Sequence, residues 1–276
     1  MKIGTMIRLN PGPGFYDGLK HRIVELAQRI EEAGFPTIWV GDSLGRGSPT
    51  LDPLMALSTI AAVTEKVQLG IGVLQLPLRH PIELAHRVQS MQKLSDNRLQ
   101  LGVGSGSTKA DFDLLGYDYD RRFGIMKRSL ATMRQAWQGV AQNEGGVLST
   151  WPGSEGGPPI LMGAWRSPRW ITYAAQECAG WTPSGRYSSP EDLEHGMRIF
   201  HEAGGSNAVL ANVAVDMRGT PQTRELVTLA KSALICDPAE AKKRLKWYKD
   251  TGFTEVLLIS HDFSLEDTLR ARDLVG

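Results

Sequence analysis

The sequence predicts an α/β fold in which eight parallel strands, each followed by a helix, close into a (β/α)8 TIM barrel. Short runs of β-branched and aliphatic residues alternate with amphipathic stretches at helical spacing along the chain. Eight such units close a barrel, and 276 residues fit the ~250 that one barrel typically needs. We therefore expect a single domain over residues 1–276.

The predicted strands are short apolar runs. In chain order they are Lys2–Arg8, Thr37–Val40, Val67–Val73, Arg98–Val103, Pro159–Met162, Ala179–Thr182, Ala208–Val215 and Glu255–Ile259. The predicted helices have apolar residues three or four positions apart, and several begin at a proline, which suits the first helical turn. In chain order they are His21–Ala33, Pro53–Thr64, Pro81–Leu94, Arg121–Trp137, Pro168–Gln176, Pro190–Ala203, Pro238–Thr251 and Leu265–Leu274. Gly34 and Gly252 follow two of these helices, where a C-terminal cap belongs.

A doubly wound open sheet is the rival architecture. Such a sheet more naturally carries a dinucleotide-binding fingerprint at its first strand-to-helix turn. Here that turn reads Asn10-Pro11-Gly12-Pro13-Gly14, which lacks the required spacing. The barrel is therefore the preferred prediction.

One stretch, Asn143–Pro159, interrupts the alternation of strands and helices. It is rich in glycine and proline and predicts an irregular insertion before strand five. Loops of this length without secondary structure are either solvated connections or covers of an active site. The sequence leaves both alternatives open.

Composition narrows the class of protein. The 31 Lys and Arg residues against 30 Asp and Glu give a net charge of +1, which argues against nucleic acid as a partner. No apolar run is long enough to span a membrane. The two cysteines, Cys178 and Cys236, form neither a disulfide framework nor a metal motif. We expect a soluble, cytoplasmic protein with a sizeable core.

Candidate chemistry gathers where the predicted strands end, because barrel active sites lie at the C-terminal ends of the strands. Gly104-Ser105-Gly106 leaves strand four without bulk, so a flat ligand or a phosphate could approach the backbone. Taken alone this glycine run is weak evidence, since a tight turn explains it equally well.

Gly163-Ala164-Trp165-Arg166-Ser167 joins strand five to a helix N-terminus. The backbone amides and the dipole of the helix N-terminus, the Ser167 hydroxyl and the Arg166 guanidinium together predict an anion site there.

Three titratable residues are candidates for acid or base chemistry. Asp42 ends strand two, where it would contact the cofactor or substrate, or hold a neighbouring loop by hydrogen bonds. His80 follows strand three, where ordering that loop by hydrogen bonds is the alternative role. His261 follows strand eight, where it could act as an acid or contact the substrate. No histidines are spaced as a metal pair, so no metal site is predicted.

The order of several motifs resembles the luciferase-like monooxygenase superfamily, which comprises flavin- or deazaflavin-dependent barrel oxidoreductases. The resemblance runs from about residue 2 to residue 260 and is most specific from strand three to strand four. It is carried by Ala33–Phe35, Ile38–Asp42, Val67–Val73, Pro77–Pro81, Leu94–Gly104, Asp111–Phe112, Leu115–Gly116, Arg122–Phe123 and Gly180–Trp181.

The resemblance implies a cofactor whose ring lies across the mouth of the barrel. Gly72 and Val73 match the bulge that backs this ring, Gly104–Gly106 the loop beside it, and Gly163–Ser167 the phosphate loop. The leading expectation is an FMN-dependent monooxygenase that oxidises a small organic substrate with oxygen. Since no stretch resembles a nicotinamide-binding domain, a separate flavin reductase would supply reduced FMN. The family is often dimeric, so a homodimer is expected.

The sequence departs from the family after strand two, where many members have histidine and this chain has Ser43. Any acid or base would then come from Asp42, His80, His261 or the substrate. Two alternatives to the leading expectation follow. One is an oxidoreductase that transfers a hydride with the deazaflavin coenzyme F420, and the other is a non-catalytic flavin-binding barrel.

Overall fold

The structure is a computed structural model that describes residues 1–10, 17–44, 47–143, 145–219, 231–260 and 264–275. Its strands are β1 (Lys2–Ile7), β2 (Thr37–Val40), β3 (Gln68–Gln75), β4 (Leu99–Gly104), β5 (Ile160–Gly163), β6 (Gly180–Thr182), β7 (Val209–Asp216), β8 (Leu234–Ile235) and β9 (Glu255–Ile259). Its helices are α1 (Leu19–Glu32), α2 (Pro53–Ala61), α3 (Pro81–Leu94), α4 (Lys109–Leu115), α5 (Arg122–Trp137), α6 (Pro168–Glu177), α7 (Pro190–Glu202), α8 (Pro238–Thr251) and α9 (Glu266–Asp273). A short 3-10 turn, Leu76–Leu78, follows β3.

The described strands form one parallel sheet in the order β6-β5-β4-β3-β2-β1-β9-β7-β8. The sheet curls until isolated parallel bridges join Trp181 to Ala208 and Ser184 to Ala211, which link β6 to β7. The predicted α/β class with parallel strands is confirmed. The curled sheet is consistent with a TIM barrel, in which β9 takes the place of the eighth strand.

Two short elements were missed by the sequence prediction. Strand β8 has only two residues and pairs with β7 through Val215 and Asp216. Helix α4 is a seven-residue helix that ends at Gly116 in the left-handed conformation, with φ +69°. Neither is long enough to show a clear apolar period, so pattern alone does not detect them.

The glycine-rich stretch before β5 lies at the opposite end of the sheet from the mouth. The Ser154 hydroxyl donates to Asn97 Oδ1 at 3.0 Å, and Asn97 precedes the start of β4. Lys93 donates to the carbonyl of Pro152 at the same end. Pro152 and Ser154 therefore lie away from the mouth, and none of the described residues of this stretch lines the cavity there, which favours the solvated connection over the active-site cover. Its status as an insertion stays a prediction.

Inside the curl, glycines make room for one large side chain. Trp39 is fully buried, and a Cβ on Gly70 would lie 2.2 Å from its ring. A Cβ on Gly102 would lie 2.2 Å from the carbonyl oxygen of Ile71. Met6 and Ala211 also belong to the inner cluster around Trp39, whereas the larger apolar core lies between sheet and helices. The inner cluster fills the interior of the curl below the strand ends.

Candidate active site

A cavity of about 670 Å³ opens at the C-terminal ends of the strands. This volume is in the range of small-molecule sites, which is ~300–1,000 Å³. All ten residues that the sequence proposed for cofactor binding line it. They are Gly72, Val73, Gly104, Ser105, Gly106, Gly163, Ala164, Trp165, Arg166 and Ser167. The structure thus brings together three segments that are far apart in the chain, although their role in binding stays a prediction.

The floor of the cavity is formed where β3 breaks its regular pairing with β4. The register shifts between Ile71 and Leu74, and the Gly72–Val73 peptide is cis. The side chain of Val73 fills the space beside two glycines, because a Cβ on Gly104 or Gly163 would lie 2.7 or 2.9 Å from its methyl carbons. These two glycines are therefore needed for packing against Val73.

The loop after β5 leads directly into helix α6. Ser167 is the N-cap residue of α6, but its side chain makes no capping hydrogen bond. The exposed Arg166 side chain makes no hydrogen bond or ion pair with any described residue. Trp165 stacks on Tyr187 with ring centroids 4.3 Å apart, which fixes this wall of the cavity. A guanidinium and a hydroxyl therefore stand together at the positive end of a helix dipole, as an anion site requires.

Asp42 lines the cavity, but its carboxylate is already bound on both oxygens. Arg79 donates to Oδ2 at 2.7 Å and to Oδ1 at 2.8 Å, and the backbone N–H of Gln75 donates to Oδ2 at 2.9 Å. The Asp42 side chain is only 3% exposed. Burial by itself would lower the pKa of Arg79, but the hydrogen bond and charge of Asp42 outweigh it and raise that pKa. This geometry favours the loop-holding alternative for Asp42 over an acid–base role.

The structure describes one of the two histidine candidates, and it does not bring that residue to the cavity. His80 is exposed at the N-cap of α3 and does not line the cavity, so the structure gives it no contact with a bound ligand. His261 lies outside the described residues. Ser43 takes the position at which many members of the resembling family have histidine. Its hydroxyl donates a hydrogen bond to Thr50 Oγ1 at 3.3 Å.

Sequence reasoning missed one aromatic wall of the cavity. The guanidinium carbon of Arg122 lies 3.7 Å from the ring centroid of Tyr119 and 4.6 Å from that of Phe123. Phe123 in turn stacks on Trp170 at 5.9 Å. The pair Arg122–Phe123 was noticed only as part of a resemblance, because nothing in its local pattern shows that the first turn of α5 faces the mouth.

The described residues contain neither a metal-ligand cluster nor a helix that could span a membrane. No group of three or more His, Cys, Asp or Glu side chains among them is arranged to hold a metal ion. None of their helices combines the length and the apolar character needed to cross a bilayer.

Comparison with known proteins places the chain in a family. A sequence model described as luciferase-like monooxygenase matches residues 1–215, and the chain belongs to that family. One relative is 4-hydroxyprotoasukamycin monooxygenase of Streptomyces nodosus subsp. asukaensis, with 37% identity over 98 residues. The aligned part is 35% of this chain and 26% of that protein, so the chain spans about a quarter of the length of this relative.

Two solved structures share the fold. One is an F420-dependent secondary alcohol dehydrogenase in complex with an F420-acetone adduct, with a TM-score of 0.79 and 14% identity, covering 99% of this chain and 97% of that one. The other is the oxygenating constituent of 3,6-diketocamphane monooxygenase of Pseudomonas putida in complex with FMN, with a TM-score of 0.77 and 13% identity, covering 100% and 96%. At these identities the likeness shows the fold alone.

Proposed function

We propose that this chain is a monooxygenase that uses externally reduced FMN and oxygen to oxidise a small organic substrate. The fold hosts both FMN and F420 among its structural neighbours, so the choice depends on this chain's own cavity. The observation that carries the proposal is the state of Asp42. It is the only carboxylate among the described lining residues, and Arg79 and Gln75 already bind it.

Among the described lining residues, the lack of a carboxylate, imidazole or thiol that is free to take a proton favours oxygenation over hydride transfer. Dehydrogenating an alcohol requires a group that takes the hydroxyl proton as the hydride leaves. The described lining contains no imidazole, no thiol and no unpaired carboxylate. Reduced flavin supplies the electrons that activate oxygen, and water can supply the protons of that reaction.

The residues of this chain would bind and orient the cofactor. Val73 forms the floor on which a flat ring can lie, and Arg166 with Ser167 would hold the phosphate at the N-terminus of α6. The aromatic walls around Trp165 and Phe123 would exclude water from the reacting centre.

The test compares FMN with riboflavin, which lacks the phosphate, in Arg166→Ala. A charge-assisted hydrogen bond contributes ~1.5–3 kcal/mol, so FMN affinity should fall ~10- to 150-fold while riboflavin affinity stays unchanged. Arg169→Ala is the matched control, because Arg169 lies three residues further along the chain in the first turn of α6, is exposed and does not line the cavity. Equal losses for both ligands would show that the loop shapes the cavity without holding phosphate.

A second experiment decides between the cofactors. Quenching of intrinsic or cofactor fluorescence gives the affinities for FMN and F420 under the same conditions. Tight binding of F420 with no measurable binding of FMN would replace the proposal by the hydride-transfer alternative. If FMN binds but no substrate panel promotes oxygen uptake with FMNH₂, the non-catalytic flavin-binding barrel is the better description.

Four arginines line the cavity and favour F420 as the second candidate cofactor, because the side chain of F420 carries more negative charge than the single phosphate of FMN. They are Arg8, Arg122, Arg166 and Arg186.

The separate reductase and the homodimer also belong to the proposal. We expect no NADH oxidation by the purified chain with FMN until a flavin reductase is added. Light scattering coupled to size exclusion should give twice the mass of 30.3 kDa.

A further inference from the structure

Strand β7 contains one extra residue beside the cavity. Its pairing with β9 advances by three residues, from Leu210 to Val213, while β9 advances by only two. Asn212 lies in this interval and has φ +57°, a left-handed conformation that residues other than glycine adopt rarely. An extra residue in one strand is a β-bulge, which redirects a side chain and is frequent beside active sites.

The bulge changes the side of the sheet that successive residues face. Ala211, before it, belongs to the inner cluster around Trp39. Val213, after it, belongs to the larger apolar core between sheet and helices, although strict alternation would place it on the same side as Ala211. Asn212 is therefore the residue that breaks the alternation, and it lines the cavity.

The carboxamide of Asn212 is available to a ligand. It makes no hydrogen bond with any described residue, and the residue is only partly buried. The backbone N–H of Asn212 donates to Met6 Sδ at 3.3 Å, and a thioether is a weak acceptor. Asparagine tolerates the left-handed conformation because its side chain can bond locally, but no such bond is made to the described residues. The amide therefore offers both a donor and an acceptor to the cavity.

Asn212 directly follows a residue that approaches the floor of the cavity. A Cβ on Gly72, in that floor, would lie 3.6 Å from the terminal methyl carbon of Met6 and 3.8 Å from the Cβ of Ala211. Strand β6 lies between β7 and the proposed phosphate loop, because β6 pairs with β5 and is bridged to β7. The end of β6 therefore adjoins the phosphate loop, whereas Asn212 stands one strand further round, near the expected position of the cofactor ring.

We propose that Asn212 binds the substrate, with its Nδ2–H donating a hydrogen bond to an uncharged oxygen of a small and otherwise apolar molecule. A carboxamide carries no charge, so it favours a neutral polar group over a carboxylate. Met6, Ala211 and Ile259 are apolar and also line the cavity, so the rest of the molecule would be apolar too. This inference rests on the proposed function in one respect, because it assigns the side of β3 to β5 to the cofactor.

The test compares ketones with alkenes in which C=CH₂ replaces C=O, so that the shape is kept and the oxygen is lost. The probes are acetophenone with α-methylstyrene and cyclohexanone with methylenecyclohexane, titrated into FMN-loaded protein and followed by flavin absorbance. Asn212→Gly should lower the ratio of ketone to alkene affinity ~2- to 12-fold, since glycine adopts this φ without strain and lacks the amide. Asn143→Gly is the matched control, because Asn143 also has a positive φ, of +30°, but is exposed and does not line the cavity.

Asn212→Asp keeps the size of the side chain but cannot donate, so it should lower the ratio as well. Two results would remove the role of Asn212. One is a ratio of affinities that is unchanged in both variants. The other is that Asn212→Gly, with no probe present, weakens FMN binding as much as Arg166→Ala does, because the amide would then serve the cofactor. The substrate class is wrong if no probe binds to the wild-type protein, or if benzoate binds more tightly than acetophenone.

The same titrations without cofactor, followed by calorimetry, separate this inference from the proposed function. If FMN does not bind but the ratio of ketone to alkene affinity still depends on Asn212, the substrate site stands and the flavin proposal fails. If FMN binds and the ratio is the same in wild type and Asn212→Gly, the flavin proposal stands and Asn212 does not bind the substrate.

Discussion

Asp42→Asn is the substitution that best separates a structural role from a catalytic one. The change preserves the shape of the side chain but removes the negative charge that faces Arg79. Two hydrogen bonds of 2.7 and 2.8 Å currently join the guanidinium to the carboxylate, which is 3% exposed. In the variant an amide N–H would face the guanidinium N–H groups, so one bond is lost and the remaining ion pair is the longer one to Asp52 Oδ2, at 3.8 Å.

The magnitude follows from the burial of the pair. Removing one partner of a buried ion pair costs ~3–5 kcal/mol. The side chain of Arg79 is 19% exposed, and Asp52 Oδ2 remains 3.8 Å from it, so the lower end of that range applies. For a chain of 276 residues, ~3 kcal/mol corresponds to a decrease of about 5 °C in melting temperature.

Thermal unfolding followed by circular dichroism checks this expectation, with FMN affinity measured well below the transition. Asp52→Asn is the matched control, because asparagine still caps α2 and the Asp52–Arg79 pair is long and partly exposed. We expect the control to lose less than ~1 kcal/mol. A melting temperature within about 1 °C of wild type, together with a large loss of turnover, would refute the structural role and restore Asp42 as a catalytic candidate.

Two further sets of substitutions test the floor and the opposite end of the sheet. Gly72→Leu should weaken FMN binding strongly and also lower the melting temperature, because a Cβ there already lies 3.4 Å from Trp39 and 3.6 Å from Met6, so the rest of the side chain must enter the cavity or displace these residues. Gly72→Ala should keep the fold, whereas Gly70→Ala should destabilise it, because its Cβ would lie 2.2 Å from the Trp39 ring; unchanged FMN affinity in Gly72→Leu would place the cofactor ring elsewhere. Burial raises the pKa of Glu255 against the opposing effects of the Thr37 hydroxyl and a nearby lysine, so ionising this carboxyl reduces stability as pH rises through its raised pKa. Glu255→Gln should therefore unfold at a higher temperature than wild type near neutral pH, and the difference should vanish below pH ~4.3, the ordinary glutamate value; a constant difference across pH would contradict this account.

Helix and strand positions could be predicted because local periodicity fixes them. The helix Pro81–Leu94 was predicted with both ends correct, since a proline fits its first turn and its apolar residues recur at helical spacing. The same logic placed Gly72, Gly104 and Arg166 at strand ends, and the parallel sheet then brought them to one mouth. Periodicity does not register two-residue strands such as β8, whose pairing depends on a neighbour far along the chain.

The sequence by itself determined the class of fold, the family and the segments that line the mouth, because each depends on local pattern or on ordered motifs. Only the tertiary structure decided what individual side chains do there. It showed that Asp42 is bound by Arg79, that Val73 occupies the space beside Gly104 and Gly163, and that the residues before β5 lie at the far end of the sheet. These outcomes depend on contacts between residues separated by tens of positions, and no local pattern encodes such distances.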